Sequence, residues 1–164
     1  VGLDEYLIAY ADDADLGLRA RWLGWSCGYV PEAVVYHHHS ATTGSFDPGK
    51  IYWVERNRVW LAVKNLPLPL LLLSPLFTCY RFAWNLVAAI FRRGSAGSFR
   101  SSYSWSTLAG VLIKATWEGW AGIVPQLGKR KKIMNSRKIS TPEYCRMLYR
   151  FRISARRLTM GGRD

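Results

Sequence analysis

Polar and apolar positions are closely mixed through the first 65 residues, and long apolar runs follow. Leu16, Leu18, Ala20, Trp22 and Leu23 are interleaved with Arg19 and Arg21, a helical pattern that Gly24 closes as a C′ residue. Trp25 to Val30 reads as a strand, Pro31-Glu32 as a turn, and Ala33 to His37 as a second, short strand. Ser40 to Lys50 is a loop rich in Ser, Thr, Gly and Pro. Ile51 to Lys64 reads as a helix, with Trp53, Val54, Leu61 and Ala62 at helical intervals. The pattern predicts an α/β head over residues 1–65.

From Leu66 the composition changes. Pro67, Pro69 and Pro75 are expected to break the first apolar run. Leu76 to Phe91 then remains as an uninterrupted stretch, short of the roughly 20 residues that cross a bilayer. Arg81 and Asn85 fall inside it, so a helix lying in the membrane plane, ended by Arg92-Arg93, is expected over a spanning one. A helix packed on the head is the alternative. Gly94 to Ser106 reads as a linker. Trp105, Leu108, Leu112, Ile113, Trp117, Trp120 and Val124 define a further amphipathic helix that Pro125 ends. Lys129-Arg130-Lys131-Lys132 is a basic knot beside it. Ser140-Thr141-Pro142-Glu143 is a helix start, and the last helix is expected from about Glu143 to Leu158. Residues 66–164 thus read as a helical tail.

The 164 residues suit one domain or part of one, and 49% apolar residues can form a core. The net charge of +12 is unevenly placed: residues 1–50 carry three basic and seven acidic side chains, and the rest twenty and four. A basic, Trp-rich tail is suited to an anionic membrane surface or to nucleic acid. No nucleic-acid-binding motif is present, and the aromatics follow amphipathic rather than stacking-platform spacing, so no nucleic acid is expected. Cys27, Cys79 and Cys145 are too few and too far apart for a disulfide framework or a thiolate zinc site, and a reducing compartment is expected.

Asp12, Asp13 and Asp15 open the first helix. Such a cluster either caps free N–H groups and suits the helix dipole, or provides a carboxylate that takes a proton. Asp15 lies four residues before Arg19, which suits an ion pair. His37 to His39 either end a strand in water or supply imidazole to a divalent metal.

The order of Gly2-Leu3-Asp4-Glu5, Asp12-Asp13-x-Asp15-Leu16-x-Leu18-Arg19, Val30-Pro31-x-Ala33 to His37, Glu55-Arg56-Asn57-Arg58 and Lys64-Asn65 resembles the C-terminal part of the catalytic domain of family 2 glycosyltransferases. These are inverting enzymes of the GT-A fold, and the rhamnosyltransferase-like and galactofuranosyltransferase-like members are the nearest in pattern. The resemblance implies Asp13 as general base, with Asp12 beside it to tune it or hold the acceptor, and Asp15 at the acceptor or in a structural role. It implies a divalent metal, Mn or Mg, with His37 or His38 as a ligand and an Asp-x-Asp pair supplied from a preceding half that this chain does not show. A nucleotide-sugar donor and a glycan or lipid-linked acceptor follow from it. Arg56 and Arg58 are candidates for an anionic phosphate, or surface partners of Glu55. The chain accordingly reads as the C-terminal portion of a longer protein, cytoplasmic and peripherally attached to the inner face of the cell membrane. A non-catalytic, basic membrane-surface module is the alternative.

Overall fold

The computed structural model describes residues 2–36 and 47–160. Eight helices account for their regular structure: α1 (Asp12–Trp22), α2 (Pro48–Asn65), α3 (Leu68–Ile90), α4 (Gly94–Ser102), α5 (Trp105–Ala121), α6 (Ile123–Ser136), α7 (Thr141–Arg150) and α8 (Ala155–Met160). No strand is present among the described residues, so the α/β expectation, and with it a portion of a GT-A domain, is overturned: these residues form an all-α structure.

The reason lies in residues 25–36. Pro31-Glu32 do turn the chain, closed by the Ala33 N–H donating to the Val30 carbonyl at 3.1 Å. Among the described residues the flanking segments find no neighbour to complete a ladder. Val35 and Tyr36 are 83% and 91% exposed. A β-rich sequence becomes a strand only where another strand takes its N–H and C=O groups.

Local chemistry explains the helix ends. Gly24 takes φ 78°, its N–H donates to Arg21 and the Trp25 N–H reaches Ala20, which is a Schellman closure of α1. Asp47 caps α2 by accepting from the Gly49 N–H at 3.0 Å, with Pro48 in the first turn, so α2 starts earlier than its apolar periodicity indicates. Ser140 and Glu143 form a reciprocal capping box on α7.

Four tail expectations are corrected. Pro69 sits in the first turn of α3, and the helix runs through Pro75 without interruption. The carbonyl that Pro75 cannot serve is that of Leu71, and Ser74 Oγ donates to it at 2.7 Å. Residues 94–102 form α4 rather than a linker. Arg92 (φ 53°) and Gly94 (φ 58°) reverse the chain, and a Cβ at Gly97 would stand 2.3 Å from the Arg92 carbonyl carbon. Pro125 lies in the first turn of α6. The break falls at Gly122, where a Cβ would lie 2.7 Å from the Trp60 ring. The last helix is divided, α7 ending at Arg150 and α8 starting at Ala155.

Two groups of helices result. α2 packs along α5 and α6, with α1 resting on α2 and α6, while α3 gathers α4 and α8. The core of the first group is built on aromatics. Trp60 donates its indole N–H to the Gly119 carbonyl at 2.9 Å, and Trp22, fully buried, stacks on Tyr144 with ring centroids 3.8 Å apart.

Candidate functional site

The acidic helix start is held in an uncommon backbone conformation. Tyr10 and Ala11, the two residues before Asp12, take φ 65° and 67°. Non-glycine residues in the left-handed region cost of order 1–3 kcal/mol each and persist only where their surroundings fix them. Asn57 does so here. Fully buried, it donates its side-chain amide to the Ala9 carbonyl at 2.7 Å and the Tyr10 carbonyl at 2.9 Å. Its own oxygen accepts two bonds from Arg56, at 3.1 and 2.9 Å. The Arg56 guanidinium lies 4.1 Å from the Trp60 ring centre and 4.3 Å from that of Trp53. Arg56 is therefore buried in the support of the loop, and Arg58 is exposed on the other side of α2.

The three carboxylates of α1 separate into two environments. Ala11 holds the N-cap position with no side-chain cap, so the one free first-turn N–H that a carboxylate of the cluster takes is bound from within the helix. Asp12 is half-buried and Asp13 is exposed, its Oδ1 accepting from the Ala14 N–H at 2.7 Å. Asp15 is fully buried. It pairs with Arg19 Nε at 2.7 Å and Lys64 Nζ at 2.7 Å, and accepts from Asn65 at 2.8 Å.

Lys64 also pairs with Asp4, to which Lys129 reaches from α6 at 2.5 Å. Burial alone would raise the Asp4 carboxyl. Hydrogen bonds from Lys129 and Lys64, and from the Tyr6 N–H, outweigh it and hold Asp4 down at about 2. The Tyr144 hydroxyl is pushed up by burial and by the nearby Asp15 charge. Half of the basic knot therefore faces inward. Lys129 binds Asp4, and Arg130 donates to the Val63 and Leu66 carbonyls at 2.8 and 2.6 Å, closing the C-terminus of α2, while Lys131 and Lys132 stay exposed.

Asp4, Asn57, Lys64, Asn65 and Lys129 thus support the acidic helix start, and sequence reasoning gave none of them a place beside it. All but Lys129 fall in the short motifs quoted above, the one signal that marked them. Asp15 and Asp4 are neutralised by cations. Asp12 and Asp13 are the carboxylates of α1 that an arriving hydroxyl could meet.

His37 and His38 lie outside the described residues. Among the described residues no group of three His, Cys, Asp or Glu side chains is placed to hold a metal ion, and two of the nearby carboxylates are committed to lysines. The described residues do not make a metal centre by themselves.

Among the described residues the fold is helical, and the site is one exposed and one half-buried carboxylate on a strained helix start, backed by buried ion pairs. No protein-family model matches the chain, and no solved structure matches it. Over 43 residues it is 46% identical to the N-acetylglucosaminyl-diphospho-decaprenol L-rhamnosyltransferase of Mycobacterium tuberculosis, in strain CDC 1551 / Oshkosh and equally in strain ATCC 25618 / H37Rv. That stretch is 26% of this chain, and the chain covers 14% of the length of these relatives. The similarity is a glycosyltransferase-like relationship over a short stretch.

Proposed function

We propose that this chain forms the acceptor side of an inverting glycosyltransferase of family 2, with Asp13 as general base. The observation that carries this reading is the division of the acidic cluster: Asp15 is buried and paired with cations, whereas Asp13 is exposed at the start of α1. The short similarity to a rhamnosyltransferase supports the reaction class.

In the proposed step an acceptor hydroxyl on a glycan or lipid-linked saccharide attacks the anomeric carbon of a nucleoside-diphosphate sugar. The O–H proton passes to the Asp13 carboxylate as the new C–O bond forms. The bond to the diphosphate oxygen breaks on the opposite face, and the nucleoside diphosphate leaves with that electron pair. Asp12 stands beside the base, half-buried, where its oxygens are able to orient the acceptor. Asn57 and Arg56 hold the Ala9–Ala11 backbone, and with it the direction of both carboxylates. A divalent metal at His37 or His38 belongs to the same reading and lies outside the described residues. The basic tail places the protein peripherally on the anionic inner face of the cell membrane, where a lipid-linked acceptor is found.

The test is transfer from nucleotide sugars by the protein at its full natural length. Asp13→Asn is expected to lower the rate by about 10²–10⁴-fold with donor affinity and melting temperature unchanged, since the amide keeps the shape but takes no proton. A near-normal rate would remove Asp13 from the chemistry. Absence of transfer by the unaltered protein with every donor, together with retained vesicle binding, would favour the non-catalytic membrane-surface module. The exposed apolar side of α3 is the observation that keeps that alternative.

A further inference from the structure

α3 is 23 residues long, about 34 Å at 1.5 Å per residue, and its most apolar stretch has no buried residue. Its two sides differ completely. Leu72, Leu76, Cys79, Ala83, Leu86 and Ile90 follow one another at steps of three and four and share one side. Leu72, Leu76 and Ile90 there are 70%, 68% and 60% exposed. Ser74, Thr78, Arg81 and Asn85 occupy the other side by the same spacing, and none of them is fully exposed. Arg81 is bound there by both oxygens of Glu55 on α2, and α8 packs along the helix with Arg156 over the Trp84 ring at 5.5 Å.

We propose that α3 lies lengthwise in the surface of a lipid bilayer, its Leu72–Leu76–Ile90 side in the acyl chains and its Arg81 side attached to the protein. This deepens the membrane attachment proposed above and rests on it for the choice of surface, but on no part of the transfer chemistry. By length and composition the helix is also able to cross a bilayer. Crossing would carry Arg81, close to its midpoint, and with it Glu55 and Arg156, into hydrocarbon. Lying in the plane leaves all three at the water side and buries only the apolar half. Charge complementarity favours the same occupant. Arg92 and Arg93 end the helix, and Arg156 extends from α8, all exposed to meet anionic headgroups. A proline within the helix is compatible with a water-poor setting, because Ser74 already serves the Leu71 carbonyl.

The native cysteines make the test direct, since Cys79 lies on the apolar side and Cys27 is exposed on the segment after α1. The full chain is bound to sealed phosphatidylcholine–phosphatidylglycerol vesicles and labelled from outside with a membrane-impermeant maleimide, read by mass spectrometry. Cys79 labelling is expected to slow by about tenfold or more on vesicle addition while Cys27 stays reactive. Part of the protein should float with vesicles in high salt, and the variant carrying Leu72→Glu and Leu76→Glu should lose that part while keeping its circular dichroism. A cysteine introduced by Ser95→Cys, past the end of α3, should label from outside. Unchanged Cys79 labelling overturns the proposal. Flotation abolished by high salt in the unaltered chain also overturns it, and leaves attachment by the basic tail standing. Labelling of Ser95→Cys only after detergent would mean that α3 spans. Cys79 protected without vesicles, with the species doubled in mass, would mean that a second copy covers this face.

Discussion

Asp15 and Asp13 are two residues apart and meet opposite physics. Asp15 has no contact with water, and its charge is sustained by Arg19 and Lys64. Removing one partner of a buried pair strands the other, at a cost of about 3–5 kcal/mol. Asp15→Asn is therefore expected to lower unfolding stability by that order in urea titrations, whereas Asp13→Asn leaves it unchanged. Asp4 adds a pH signature. Its carboxyl is held at about 2 against an ordinary 3.8, so between these values the unfolded chain binds more protons than the folded one. The stability it contributes is fully present above about pH 4 and is lost as pH falls through about 2. Melting temperatures measured across that window should fall toward acid, and Asp4→Asn should flatten the slope.

Among the elements, α3 carries a proline six residues before its centre of polarity at Arg81, and remains continuous. Its continuity depends on one hydroxyl. Ser74→Ala is expected to leave the Leu71 carbonyl without a donor and to cost about 1 kcal/mol. Pro75→Ala restores the ordinary N–H to that carbonyl, so the double variant should recover what the single one loses. A double-mutant cycle on thermal melts checks the coupling, and additive effects would show that Ser74 does not act through this carbonyl.

At the scale of the whole molecule, distant segments of the chain hold the acidic helix. Tyr144 of α7 stacks on Trp22, the Lys138 N–H donates to the Trp22 carbonyl at 2.8 Å, and the Trp22 indole N–H reaches the Asn65 carbonyl at 2.8 Å. A chain ended at Ser136 loses the first two and uncovers a buried indole. Hydrogen exchange should then rise through α1 and much less in α5, which packs on α2 without help from α7. Equal protection of α1 in both chains would mean that the C-terminal segment merely rests on it.

Local order was legible in the sequence wherever short-range chemistry decides it. The Gly24 closure of α1, the Ser140–Glu143 box and the helical periodicities of α2 and α5 depend on residues within one turn of one another. The pairing of Asp15 with Arg19 spans one turn in the same way. What only the tertiary structure decided involves partners far apart in the chain. Trp25–Tyr36 has strand-like composition, yet a strand is a property of two segments, and none of the described residues pairs with it. Pro75 reads as a breaker until the Ser74 hydroxyl is seen to replace the lost donor. Lys129 reads as a surface cation until it is found on Asp4, 125 residues earlier, where desolvation makes one ion pair decisive. Short-range sequence determined those helix ends whose partners lie within one turn, at Gly24 and at Ser140–Glu143. Burial, which no single stretch of chain controls, decided which carboxylates are neutralised within the protein and which remain open to solvent.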